Sequence, residues 1–158
     1  MAALVSKPPL GLYFEDFEVG KEITTSGRTI TETDILQFAG ISGDFNQIHV
    51  DAEYSRKSAA GQRVAHGLLI ASIASGLAVQ TGFLQDTVIY FREIVGWKFI
   101  KPVLIGDTIH VRIIVSELKA FPKLGGGLVT LIFEVINQNR DVVNRGRFLV
   151  LVASRPKK

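Results

Sequence analysis

The sequence contains no cysteine among its 158 residues. Disulfide bonds, thiolate nucleophiles and cysteine-ligated metal sites are therefore excluded. It also lacks a strong excess of one charge sign, because 18 Lys and Arg residues face 15 Asp and Glu residues, for a formal net charge of +3. A nucleic-acid-binding protein usually gathers its basic residues on one face or in one run. The basic run here is only the C-terminal segment 155–158, so no nucleic-acid partner is expected.

Long hydrophobic runs are also missing. The longest mostly apolar segment, 68–79, is interrupted by Ser72, Ser75 and Gly76, whereas a membrane span needs roughly 20 apolar residues. The first eleven residues lack an apolar stretch comparable to that of a secretory signal. These features predict a cytoplasmic protein with no membrane partner.

The length and composition fit one globular domain. Hydrophobic residues make up 47% and charged residues 21% of the chain, which is close to the average for soluble proteins. A length of about 150 residues is typical of one domain. We expect a flexible N-terminal arm over 1–12, a single domain over 13–154 and a basic C-terminal tail over 155–158.

Apolar residues at helical spacing mark the first half of the chain. Ile35, Phe38 and Ala39 predict a helix over 32–41, which Thr31 and Asp34 cap at its start. A short helix is predicted over 52–58. The segment 68–80 is apolar nearly all round and predicts a helix buried on most sides.

After Gly82 the hydrophobic period changes from 3.6 to 2, which indicates strands. The predicted strands cover 88–97, 108–118, 128–136 and 142–152, and an earlier strand covers 21–30. Their order indicates a meander of long antiparallel strands. A nearly all-apolar helix beside a curved sheet predicts an α+β roll in which the sheet wraps the helix.

The segment 41–51 places a carboxylate, an amide and an imidazole close together, as Asp44, Asn46 and His49. A carboxylate and a histidine can hold a water molecule, one taking its proton while the other supplies a proton to the substrate. The residues alone leave a structural interpretation open, because Asp and Asn stabilise turns and a histidine often serves as a hydrogen-bonded structural residue.

The second informative segment, 64–67, stands at the N-terminus of the predicted apolar helix. Gly67 has no side chain to shield its N–H, and free amides and the helix dipole favour negative charge there. Gly67 is thus a candidate donor to a carbonyl that becomes an enolate, or it merely starts the helix. For His66 the structural interpretation is preferred, as a support for the loop before Gly67.

The two segments, SGDFNQIHVD over 42–51 and VAHG over 64–67, resemble the signature of the MaoC-like, or (R)-specific, enoyl-CoA hydratases. The segment 99–108 is also similar to the strands of this family, and the resemblance covers most of the chain. It implies the hot-dog fold, in which an antiparallel sheet wraps a long central helix. Gln47 departs from the pattern, because the family usually has proline there, which would stiffen the loop.

The resemblance implies an acid/base role for Asp44 and His49 on a bound water, and a donor role for the Gly67 amide toward the thioester carbonyl. Asn46 would order the loop, and Ser75 would help to orient the active site. The implied reaction is hydration of a trans-2-enoyl-CoA to an (R)-3-hydroxyacyl-CoA, or the reverse dehydration. This reaction requires no metal and no redox cofactor. Coenzyme A enters only as part of the substrate.

The implied partner is an acyl-CoA or acyl-carrier-protein thioester, and a homodimer or a dimer of dimers is expected. Two alternatives remain at this point. One is an acyl-CoA thioesterase of the same fold, and the other is a non-catalytic paralogue that binds acyl thioesters.

Overall fold

The structure is a computed structural model and describes residues 11–156. These residues form a sheet with helices on one side. The helices are α1 (Glu32–Ser42), α2 (Gln47–Val50), α3 (Ala52–Arg56) and α4 (Gly67–Gln80), and single 3-10 turns cover Phe14–Asp16 and Pro122–Leu124. The strands are β1 (Glu22–Thr24), β2 (Arg28–Thr29), β3 (Val88–Phe99), β4 (Thr108–Phe121), β5 (Gly126–Ile136) and β6 (Val142–Ala153).

The sheet is antiparallel, with the strand order β1, β4, β5, β6, β3, and β2 also pairs with β4. The predicted meander is therefore right for β4, β5 and β6 and wrong for β3, which pairs with β6 at the far edge. The edge of β4 that β3 would need is occupied by β1 and β2. The link 100–107 consequently runs from β3, at one edge of the sheet, past β6 and β5 to β4.

Helix α4 packs against the core face of this sheet, which confirms the predicted α+β hot-dog fold. Alternate residues of β4, from Ile109 to Val115, are buried as the period of two predicts. Helix α4 is buried on most sides, as expected, but one stripe along it is exposed and includes Leu68 and Val79. The buried residues of α4 are Leu69, Ile70, Ala71, Ile73, Ala74, Leu77 and Ala78.

Three short elements differ from the prediction. The predicted strand 21–30 is two strands, Glu22–Thr24 and Arg28–Thr29. Between them the Val111 amide donates to the Thr25 hydroxyl at 2.9 Å instead of to a backbone carbonyl, which interrupts the ladder. The short helix predicted over 52–58 ends at Arg56. Helix α2 was not predicted, since four residues show no period; it begins where the Asn46 side chain accepts from the Ile48 amide.

The ends of the predicted arm and tail contact the domain. Residues 1–10 and 157–158 lie outside the described part of the chain. The Gly11 amide donates to the Gln85 carbonyl at 3.0 Å. At the other end, the Arg155 amide donates to the Glu15 carboxylate and its guanidinium pairs with Asp16. No helix between residues 11 and 156 has the length and apolar character needed to cross a membrane.

Candidate active site

A cleft of about 650 Å³ opens at the N-terminus of α4. Its walls come from the loop between α1 and α2, from α2, from the start of α4 and from the segment after β3. It brings Asp44 and His49 together with His66 and Gly67 of the following segment, and Phe99 from a later part of the chain lies opposite them.

The loop that carries Asp44 is shaped by local hydrogen bonds. Helix α1 ends at Gly43, whose φ of 76° lies in the left-handed region that glycine adopts without strain. The Asp44 amide donates to the Ser42 hydroxyl at 3.2 Å, and one Asp44 carboxylate oxygen accepts from the Asn46 amide at 3.2 Å. These contacts hold an exposed carboxylate at the rim of the cleft.

His49 is buried, and its ring orientation is fixed by the backbone. Its Nδ1 lies 2.7 Å from the Val64 carbonyl oxygen. A carbonyl can only accept, so Nδ1 carries a hydrogen, and Nε2 is the ring nitrogen that is not bonded to the backbone. Ser55, a fully buried residue that the sequence reasoning missed, supports α2 by donating to the carbonyls of Gln47 and Ile48.

His66 ties the Asp44 loop to the start of α4. Its Nε2 lies 2.9 Å from the Asp44 carbonyl oxygen and therefore donates a hydrogen to it. The His66 ring stacks on His49 with centroids 3.8 Å apart and packs against Phe38 at 5.0 Å. Its Nδ1 is buried and has no hydrogen-bond partner among residues 11–156. One buried ring thus contacts both residues of the predicted acid/base pair.

The three side chains are close enough to share one small molecule. A carboxylate oxygen of Asp44 and one ring nitrogen each from His49 and His66 lie within 4.8 Å of one another. A water that bonds two atoms at about 2.8 Å each can bridge a separation of roughly 4 to 5 Å. The ligand types also suit a divalent metal, but His66 Nε2 is engaged by the Asp44 carbonyl and His66 Nδ1 is enclosed. The arrangement therefore leaves Asp44 and His49 as the pair that could hold a water between them.

Gly67 is the first residue of α4, where backbone amides lack acceptors within the helix. His66 precedes it and provides no side-chain cap. The ring of Phe99 lies directly over Gly67: a β-carbon at this position would come within 2.7 Å of Phe99 Cδ1 and 2.9 Å of Cζ. A β-carbon at position 67 would therefore displace the Phe99 ring from its place over the start of α4.

Two of the predicted site residues lie outside the cleft. Asn46 is exposed and caps α2, so it orders the loop without lining the cleft. Ser75 is eight residues beyond Gly67, which at 1.5 Å per residue is about 12 Å along α4. It lines a separate, mostly apolar groove together with Phe91 and Phe148. The structure therefore does not place Ser75 beside Asp44, His49 and Gly67.

The segment after β3 supplies a wall of the cleft that the sequence reasoning did not assign to the site. Residues 99–103 line it, and Lys101 at its rim pairs with Asp141 at 2.7 Å. The hydrogen bond from Lys101 lowers the pKa of Asp141 below its usual value. The similarity of segment 99–108 to a known family could have indicated this part of the cleft. That similarity was assigned to strands of the family and not to the site.

The chain matches the family described as MaoC like domain over residues 16–134, which is most of its length. It therefore belongs to the MaoC-like dehydratase family, as the two sequence segments predicted.

Three comparisons show how close the similarity is. The chain is 41% identical over 105 residues to Protein MaoC of Klebsiella aerogenes, an alignment that covers 66% of this chain and 31% of that protein. It is 37% identical over 106 residues to the (R)-specific enoyl-CoA hydratase of Rhodospirillum rubrum, covering 67% of this chain and 71% of the relative. The chain thus spans about a third of the Klebsiella protein.

A solved structure of a monoamine oxidase regulatory protein from Archaeoglobus superposes with a TM-score of 0.86 at 36% identity. The superposition covers 92% of this chain and 97% of that one.

Proposed function

We propose that the protein adds water to a trans-2-enoyl-CoA to give an (R)-3-hydroxyacyl-CoA, or catalyses the reverse dehydration. The observation that carries this proposal is one cleft that holds Asp44, His49 and the amide end of α4 within reach of a single small substrate. The similarity to a protein named (R)-specific enoyl-CoA hydratase supports the same chemistry.

Hydration forms a C–O bond at C3 and a C–H bond at C2. In the proposed mechanism the Asp44 carboxylate takes one proton from the bound water, whose oxygen attacks C3. His49, in its imidazolium form, supplies a proton to C2 from Nε2, because its Nδ1 keeps the hydrogen that it donates to the Val64 carbonyl oxygen. The pair gains one proton and loses one, so it needs only a proton exchange to return to its starting state.

The Gly67 amide has a separate role in the proposal. As water adds, negative charge develops on the thioester oxygen. A donor N–H placed at a developing oxyanion contributes roughly 3 kcal/mol to transition-state stabilisation, and the positive end of the α4 dipole acts in the same direction. Since Asp44 accepts one proton, His49 supplies one and the Gly67 amide polarises the carbonyl, we propose that no metal or redox cofactor takes part.

The reaction is tested by adding the purified protein to crotonyl-CoA. The expected result is a loss of enoyl-thioester absorbance with (R)-3-hydroxybutyryl-CoA as the product. Asp44→Asn and His49→Gln should each remove nearly all turnover while the circular dichroism spectrum stays unchanged. Asp86→Asn and His110→Gln make the same chemical changes away from the cleft and should leave turnover intact.

Other outcomes would contradict the proposal in distinct ways. Near-normal turnover in either cleft variant would remove the assigned acid/base pair. Release of free thiol from an acyl-CoA would favour a thioesterase. Binding of enoyl-CoA without turnover, for short and long acyl chains alike, would favour a non-catalytic role.

We also propose that two copies of the chain associate through β3 and the exposed stripe of α4. Strand β3 is a twelve-residue sheet edge, and such an edge invites pairing. Its Ile89 and Ile94 are each almost half exposed, and Leu68 of α4, which lines a groove with Ile94, is 65% exposed. Light scattering at micromolar concentration should give a dimer or a dimer of dimers, and Ile94→Lys should give a monomer. A monomeric mass for the unaltered protein would refute this.

A further inference from the structure

Basic side chains meet across β3 and β6 on the outer face of the sheet. Lys98 of β3 is the register partner of Arg145 of β6, and Arg147 lies two residues along β6 on the same face. Together with Gly96 and Gly146 they line a groove of about 350 Å³. The glycines leave room between the long cationic side chains.

The charges in this groove are not balanced by carboxylates. Like charges directly opposite each other on neighbouring strands destabilise a sheet, and Lys98 and Arg145 form such a pair. Glu134 of β5 contacts Arg145 at 3.4 Å, but it also pairs with Arg112 at 3.2 Å. Within residues 11–156, neither Lys98 nor Arg147 takes part in a salt bridge. A bound anion would relieve the repulsion.

The groove lies at the same end of the sheet as the candidate active site. Phe99 and Asn144, the next register pair beyond Lys98 and Arg145, line the cleft on the other face. Because β3 ends at Phe99, a flexible ligand can pass from the cleft around the end of the strand to the groove.

We propose that the groove of Lys98, Arg145 and Arg147 binds the phosphate groups of the coenzyme A part of the substrate. This rests on the proposed function, which places a thioester in the cleft. Coenzyme A carries a long uncharged arm that ends in a phosphorylated nucleotide, and Arg and Lys are the usual donors to phosphate oxygens. The groove would therefore select the carrier, while the cleft acts on the acyl group.

The first test measures binding without turnover. Binding is measured by isothermal titration calorimetry, because Trp97, the single tryptophan of the chain, packs on Phe148 at the core face and does not line the groove. Coenzyme A is titrated into the protein and into Lys98→Glu and Arg147→Glu. Each variant should bind about tenfold more weakly, since hydrogen bonds to charged groups are stronger than neutral ones even when partly screened. The unaltered protein should also bind more weakly as salt is raised.

Lys123→Glu is the matched control. It makes the same change of charge in the turn between β4 and β5, at the opposite end of the sheet, and should bind coenzyme A as the unaltered protein does. Equal binding by all four proteins would overturn the proposal. So would weakening in the control as large as that in the groove variants, because it would reflect net charge alone.

The second test uses the reaction. The groove variants should raise KM for crotonyl-CoA with kcat unchanged, and they should leave KM for crotonyl-pantetheine, which has no phosphates, unaltered. Equal effects on both substrates would overturn the groove assignment. If crotonyl-CoA is not turned over but coenzyme A binding still depends on Lys98 and Arg147, the proposed function fails and the groove stands. Variants that weaken binding of a crotonyl acyl carrier protein but not of coenzyme A would overturn the choice of carrier.

Discussion

Replacing Gly67 by alanine separates the two reasons for glycine at the start of α4. The variant keeps the backbone amide but adds a β-carbon beneath the Phe99 ring. That carbon would lie 2.7 Å from Cδ1 and 2.9 Å from Cζ of the ring, whereas optimal contact between carbon atoms is about 3.5 to 4.0 Å. The ring must therefore move by about 1 Å, and the wall of the cleft moves with it.

The effect on stability should be small. Phe99 is 58% exposed, so its ring can swing toward solvent without opening the core. Alanine is also the better helix former, by up to about 1 kcal/mol in a helix interior. We expect the free energy of unfolding, measured by urea denaturation, to change by less than about 1 kcal/mol.

The effect on activity should be much larger. Complete loss of an oxyanion donor costs about 10²- to 10³-fold in kcat. In Gly67→Ala the amide donor remains and only the wall opposite it is displaced, so the loss of activity should be smaller. We expect kcat/KM for crotonyl-CoA to fall by about tenfold.

A double-mutant cycle identifies the cause of this loss. Gly67→Ala, Phe99→Ala and the combined variant are assayed together with the unaltered protein. If the clash is the cause, the combined variant recovers activity relative to Gly67→Ala, with a coupling of about 1.4 kcal/mol or more for a tenfold recovery. Full activity in Gly67→Ala, or purely additive effects in the cycle, would refute the reasoning.

Three further predictions concern the residues that hold the Asp44 and His49 segment. Gln47→Pro should raise the free energy of unfolding in urea by about 0.4 to 1 kcal/mol. Gln47 is the first residue of α2, and its amide has no acceptor among residues 11–156, so proline removes no hydrogen bond there. A lower free energy of unfolding would contradict this. Ser55→Ala should lower the free energy of unfolding by about 1 kcal/mol. An unchanged value would show that the carbonyls of Gln47 and Ile48 need no donor from Ser55. His66→Phe should lower kcat by roughly tenfold through loss of the hydrogen bond to the Asp44 carbonyl. His66→Gln, which can still donate, should lose less. A larger loss in His66→Gln than in His66→Phe would assign the effect to ring packing.

Local features of the sequence were sufficient for most elements of the fold. The helix predicted over 32–41 appears as Glu32–Ser42, because its cap and its apolar spacing are encoded within a few residues. The apolar helix appears as Gly67–Gln80, and the period of two in β4 corresponds to its buried face. The two motif segments identified the family, since their residue types and spacing are specific.

The tertiary structure decided what depends on residues far apart in the chain. Strand β3 pairs with β6 rather than β4, because β1 and β2 occupy the other edge of β4.

The stack of His49 on His66 and the Phe99 ring over Gly67 are contacts that neither the hydrophobic period nor the motifs predict. The opposition of Lys98 and Arg145 likewise depends on strand register, which distant pairing and bulges in β3 set. The sequence alone therefore determined most of the elements, the family and the candidate residues. Their relative positions, including the exclusion of Ser75 from the cleft, were decided by long-range packing.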